Sequence, residues 1–220
     1  MENTYQTIVQ RFDAARSSVL MESYDTDGVG GLNERSLHKI LKLTLEPNTE
    51  LHEVKYLGSV ADIKNSEGIF EIQTKAAYKL RGKIERFLKT SPVTLVIPII
   101  EEKYVRYIDK ETGEISSRRK SPKSENIYTA LNSMCNLADL LFDGAFKVML
   151  IYLRCDEYKY RVKKRGQRKV DIIPDAILRT EELLSPQDAF KYFPKEITGE
   201  FYAKDFSQKI KILDVLLVYK

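Results

Sequence analysis

The chain has 220 residues, enough for one sizeable α/β domain with a small appended segment. Hydrophobic content of 43% and charged content of 31% exclude a disordered chain, and a net charge of +4 excludes a uniform polycation, so any nucleic-acid contact must come from local basic clusters. The longest apolar run, "VTLVIPII" (93–100), is too short to span a bilayer, and two distant cysteines, Cys135 and Cys155, make neither a zinc site nor a disulfide framework.

Residues 3–20 predict a polar helix. The opening "MENTYQTIVQRFDAARSS" carries no signal-peptide pattern, so a cytoplasmic location and no membrane partner are expected. "DTDGVGG" (25–31) predicts a loop. Its Asp-x-Asp spacing resembles a calcium loop, but Val29 and Ser36 stand where such a loop needs oxygen ligands and a closing glutamate. Asn33 caps a second helix, "ERSLHKILKLTL", with Leu37, Ile40 and Leu41 as its apolar stripe.

Three short strands follow, "LHEVKYLG", "SVADIKN" and "GIFEIQT", with "NSEG" as a hairpin turn between the last two. A helix is predicted over 75–88. Next come the strand "VTLVIPII", a further strand "KYVRYID", the turn "KETGE", a basic loop "SSRRKSPKSENIY" and a helix "IYTALNSMCNLADLLF". "AFKVMLIYLRCDEYKYRV" predicts a long strand that returns through "KKRGQRK". Beyond it, short helical periods are broken by Pro186, Pro194 and Gly199. The pattern divides the chain near Pro174: an N-terminal helix and loop (1–31), an α/β core (32–174) and a C-terminal helical segment (175–220).

The chemistry-bearing residues gather early in the core. Side chains alternate along a strand, so Glu71 and Gln73 share one face while Phe70 and Ile72 share the other. Antiparallel pairing through "NSEG" brings Asp62 close to Glu71. Two such carboxylates repel, and a divalent cation relieves the repulsion; Mg2+ suits one or two carboxylates, a carbonyl and water. Glu34 precedes Leu37 by three residues and shares its inward face, with His38 one turn on. Taken singly, each residue also has a bland reading: Glu34 as a helix-start acid, Asp62 as an edge charge, Glu71 as a solvent-facing strand residue and His38 as a structural histidine.

The order of "GGLNERSLHKIL", "SVADI" and "IFEIQTK" resembles the PD-(D/E)xK nuclease superfamily, in which a helix bears Glu, a hairpin bears Asp, and the next strand bears Glu-x-Lys before a helix. Over about residues 30–210 the chain is more closely similar to an uncharacterised bacterial family that joins such a core to a C-terminal winged helix. The resemblance implies an α/β fold with a restriction-endonuclease-like mixed sheet flanked by helices. It implies a metal, Mg2+ or Mn2+, held by Asp62, Glu71 and the Ile72 backbone carbonyl, with Glu34 reaching it directly or through water. It implies hydrolysis of DNA phosphodiester bonds by metal-activated water. Gln73 stands in the lysine position; Lys75, two residues on, or Lys79, a turn further, is the expected source of the missing cation, each with a solvated-lysine reading beside it.

Two basic clusters are expected to meet phosphates: Arg118, Arg119, Lys120 and Lys123 in the first, and Lys163, Lys164 and Arg165 in the second, where a charged hairpin tip is an equal reading. Tyr104, Tyr107 and Tyr128 lie near the first. "EFYAKDFSQKIKI" resembles the second helix of a winged helix, though the chain ends at Lys220 without room for a recognition helix and wing. The competing reading is a helical cap burying Leu213, Val215, Leu216 and Leu217. The leading functional expectation is a metal-dependent DNA endonuclease, and nucleases of this fold often work as homodimers. The alternatives are a non-catalytic DNA-binding or regulatory protein on the same scaffold, and a structural interaction protein.

Overall fold

The computed structural model describes residues 2–25, 36–74, 76–160, 168–193, 195 and 200. Helix α1 (Glu2–Asp25) and helix α2 (Ser36–Leu45) precede a meander of β1 (His52–Tyr56), β2 (Ser59–Asn65) and β3 (Gly68–Ile72). Helix α3 (Arg81–Leu88) leads to β4 (Val93–Ile108) and the short β5 (Arg119–Lys120). Helix α4 (Ile127–Ser133), β6 (Phe146–Tyr160), β7 (Arg168–Leu183) and α5 (Pro186–Phe190) complete the described elements.

The sheet has the order β1-β2-β3-β4-β6-β7, with β5 pairing outside this path onto β4. The first three strands are antiparallel, β3, β4 and β6 run parallel, and β7 returns antiparallel. Helices cover both faces, so the central strands are buried on both sides and read as continuous apolar runs rather than alternations. On one face, Phe12, Ala15 and Val19 of α1 and Leu37, Ile40 and Leu41 of α2 pack on Phe70, Ile72, Val96 and Ile151. On the other, Ile84 and Phe87 of α3 join Ile69, Leu95, Ile97 and Ile99, together with Ala130 and Met134. The protein is thus an α/β fold with a mixed sheet between helical layers.

Two turns set the meander. Leu57 (φ 47°) and Gly58 (φ 73°) form the two-residue link between β1 and β2, with both φ values positive, as the twist of a tight hairpin favours. Between β2 and β3, the Asn65 side chain accepts the Glu67 N–H at 3.0 Å. Gly68 then adopts φ 127°, and a Cβ there would lie 2.5 Å from the Pro92 carbonyl oxygen. Glycine is needed at this position for close approach as well as for conformation.

The structure departs from the sequence expectations at three elements. The helix expected over 75–88 is divided: Ala76 is left-handed (φ 52°), a 3-10 turn spans Ala77–Leu80, and the α-helix starts at Arg81. "VTLVIPII" and "KYVRYID" are one strand, β4, carried across the polar residues between them by an irregularity in its register with β6 at Ile100/Glu102. The boundary expected at Pro174 falls inside β7, where Pro174 pairs with Cys155 beside a register shift. Proline has no N–H to donate, and such a shift in the outermost described strand accommodates it. Residues 175–183, expected to be helical, are strand because β7 pairs with β6 as far as Leu183. The rest of the expected C-terminal segment, from 201 on, lies outside the described residues.

Candidate functional site

The two-residue turn Ser66–Glu67 fixes the β2–β3 register as Asn65↔Gly68, Lys64↔Ile69 and Ile63↔Phe70. One step beyond, Asp62 faces Glu71, and there the side chains take over from the ladder. The Ile72 N–H donates to Asp62 Oδ2 at 2.8 Å, and the Asp62 N–H donates to Glu71 Oε1 at 3.4 Å. The pair expected from strand alternation is therefore formed.

The two acids differ in surroundings. The Glu71 side chain is 2% exposed and that of Asp62 is 22% exposed, so Asp62 stands at the mouth and Glu71 behind it. Burial, then the neighbouring Asp62 charge, pushes the Glu71 carboxyl up to about 7, even against the opposing pull of Lys83. Burial also works against the Asp62 charge, but the His38 contact and the Ile72 N–H outweigh it and hold its pKa below the ordinary value. His38 Nε2 lies 3.4 Å from Asp62 Oδ2, an ion pair when the imidazole is protonated.

A residue that the sequence did not single out completes the site. Lys83 Nζ, from the first turn of α3, lies 2.5 Å from Glu71 Oε2. It sits beside the buried Ile84 and four residues before the buried Phe87, so it belongs to the sheet-facing side of its helix. That helical phase is the signal that would have found it. Of the two lysines expected to supply the cation, Lys79 is exposed on the 3-10 turn and Lys75 lies outside the described residues. Gln73 follows β3 directly, is half-buried, and donates its N–H to Val96 O at 2.9 Å. Ile72 ends β3 opposite Val96. Glu34 lies outside the described residues.

Among the described residues no group of three His, Cys, Asp or Glu side chains is assembled to hold a metal ion. The donor set that is present fits a hard divalent cation in kind: two adjacent carboxylates, one of them with its proton affinity raised by burial and then by the other's charge. The Lys83 ammonium sits on one oxygen of that set.

The basic clusters divide. Arg118 Nε pairs with Asp156 Oδ1 at 2.7 Å, its Nη2 reaches Asp175 Oδ2 at 3.1 Å, and its guanidinium lies 4.0 Å from the centre of the Tyr104 ring. Its guanidinium is engaged by these partners although the residue remains exposed. Arg119, Lys120 and Lys123 are exposed, the first two on β5, which pairs with Tyr104 and Val105 of β4. Glu71 pairs with Leu95 of the same strand, so β5 lies roughly 30 Å along the sheet from the acid pair. Tyr104 is covered by Arg118, the Tyr107 N–H donates to Ser116 Oγ, and the Tyr128 hydroxyl donates to the Tyr192 carbonyl at 3.0 Å. Lys163, Lys164 and Arg165 lie outside the described residues.

Fold and site together define an α/β protein with a pair of acids, Glu71 buried and Asp62 half-buried, and a lysine where a hairpin meets a parallel strand. By its sequence the chain belongs to the family described as Domain of unknown function (DUF8091), whose model matches residues 35–183, about two-thirds of the chain. No curated protein and no solved structure matches it. No helix among the described residues is long and apolar enough to cross a membrane.

Proposed function

We propose that this protein is a DNA endonuclease dependent on Mg2+ or Mn2+, with Lys83 supplying the cation that Gln73 lacks. The observation that carries the reading is the Lys83 Nζ to Glu71 Oε2 distance of 2.5 Å, with Asp62 on the adjoining strand. The order of α2, the β1–β3 meander, α3 and a parallel β4 supports the resemblance to the PD-(D/E)xK nucleases.

In this reading Asp62, Glu71 and the Ile72 carbonyl would hold the cation, and Glu34, outside the described residues, is the further acid that the resemblance implies. The bound cation supplies an activated water and neutralises charge on the departing oxygen. Asp62 keeps its charge through His38 and the Ile72 N–H, Glu71 would release its proton to solvent when a cation binds, and Lys83, on the Glu71 carboxylate, would be placed to offset charge on the attacked phosphate. Arg119, Lys120 and Lys123 hold the duplex at a distance from the cut. Work on two strands favours a homodimer, and DNA as substrate favours a cytoplasmic location.

The test is a panel of duplex, single-stranded, nicked and branched DNA with Mn2+ or Mg2+. Cleavage of at least one substrate, abolished in Glu71→Ala, is expected. A second reading, a DNA-binding protein without turnover, is favoured by one observation: the Lys83 ammonium occupies a Glu71 oxygen that a cation would need. Salt-sensitive binding with no cleavage on any substrate would select it.

A further inference from the structure

A cleft of about 330 Å³ lies beside the acid pair and plays no part in the chemistry above. Its floor is Ile97 and Ile99 of β4, which follow Leu95, the partner of Glu71, on the same face of the sheet. Thr74, just after Gln73, and Ala130 of α4 form walls, and Tyr78 stands on the lining with 44% of its surface exposed. From Leu95 to Ile97 and Ile99 is roughly 7–13 Å along the strand, the reach of one nucleotide from the acids.

The volume suits a nucleobase with its sugar. The lining is mixed: beside its apolar residues, Thr74, Thr129, Asn132 and Ser133 carry neutral polar groups, and Glu125 is the one charged group among the lining residues. Its Oε2 accepts the Ile100 N–H at 3.0 Å, which fixes the carboxylate in place. Among the described residues Oε1 accepts no hydrogen bond. An ionised carboxylate only accepts, so it selects a ligand edge with donors. Guanine offers two adjacent donors, N1–H and the N2 amino group. Adenine and cytosine offer the amino group alone, and thymine flanks its N3–H with two carbonyls that a carboxylate repels.

We propose that this cleft receives an unstacked guanine next to the scissile phosphate, with Glu125 reading its Watson–Crick edge and Tyr78 stacking on its face. Recognition of an extruded base by edge hydrogen bonds and ring stacking has this chemistry. The inference rests on the phosphodiester reading of the acid pair, and it gives that site a substrate preference.

The experiment uses the full chain with chelator present, so that binding is read without cleavage. Short single-stranded oligonucleotides carrying one guanine, inosine, adenine or cytosine among thymines are titrated by fluorescence anisotropy. Inosine keeps N1–H and lacks the N2 amino group. Guanine should bind about tenfold more tightly than inosine. Glu125→Gln should erase that preference while keeping an oxygen for the Ile100 N–H, and Tyr78→Ala should weaken binding of every base. Equal affinity for guanine and inosine would overturn the proposal, and this comparison needs no variant to fold. So would a guanine preference that survives in Glu125→Gln. The two readings fail separately. Cleavage with Mn2+ but no guanine preference removes the cleft inference alone, whereas guanine preference without cleavage removes the nuclease reading and leaves the cleft as a base-binding site.

Discussion

Asp62 and Glu71 each hold the backbone of the other's strand: the Asp62 carboxylate accepts the Ile72 N–H, and the Glu71 carboxylate accepts the Asp62 N–H. The acids therefore serve the sheet as well as any chemistry. Their removal must be judged on stability and on activity separately, and the conservative substitutions are the informative ones.

The first prediction concerns stability and pH. The folded Glu71 carboxyl titrates near 7 against an ordinary value of 4.5. Between these values the folded state holds a proton that the unfolded state has released, so stability falls as pH rises from 4.5 to 7. The full change amounts to about 3 kcal/mol. Urea midpoints of the wild type should fall across this window, and those of Glu71→Gln should not. Asp62 behaves oppositely: its depressed pKa contributes stability at neutral pH that is lost in acid.

The same proton should govern metal affinity. A cation bound by Glu71 must displace the proton, so the apparent affinity for Mn2+ should rise about tenfold per pH unit below 7 and level off above it. Isothermal titration at pH 5.5, 6.5 and 7.5 measures this. A flat profile would mean that Glu71 is not a ligand.

The lysine assignment makes a paired prediction. Lys83→Met should lower cleavage by about 100-fold or more, whereas Lys79→Ala leaves it unchanged. Adding Gln73→Lys to Lys83→Met should restore a measurable part of the activity, because both positions border Glu71. Loss in Lys79→Ala with retention in Lys83→Met would reverse the assignment.

The basic clusters should separate in the same way. Arg118→Ala removes one partner from Asp156, which keeps Arg106, and one from Asp175, which keeps Arg154, and should destabilise the fold by about 1 kcal/mol, read from urea midpoints. Arg119→Ala and Lys120→Ala should leave stability unchanged, and each should reduce the salt slope of DNA binding by about one.

The acid pair was legible in the sequence because two simple rules suffice. A two-residue turn after Asn65 sets the register, and alternation does the rest. Lys83 carries a signal in its four-residue spacing from the buried Phe87, but the Glu-x-Gln motif points to the nearer Lys75 and Lys79. The left-handed Ala76 and the 3-10 turn move the start of the α-helix to Arg81, which puts Lys83 rather than Lys79 in its first turn. "DAILRTEELL" shows no strict alternation, and only pairing along the whole of β6 makes most of it strand. Arg118 sits in an exposed-looking basic run, yet its partners, Asp156 and Asp175, are 38 and 57 residues away in sequence.

Helix α1 lies wholly before the stretch that the family shares, yet it fills part of the interior. Phe12 and Val19 are each only 1% exposed, and Arg16 Nε donates to the Pro174 carbonyl at 3.1 Å. The stretch matched by the family and the packed unit are therefore not the same piece of chain. Residues 35–183 cut out alone would leave the packing partners of α1, among them Ile40 and Leu41, facing water. A recombinant fragment trimmed to the shared stretch should aggregate, and adding back residues 2–25 as a separate peptide should solubilise it.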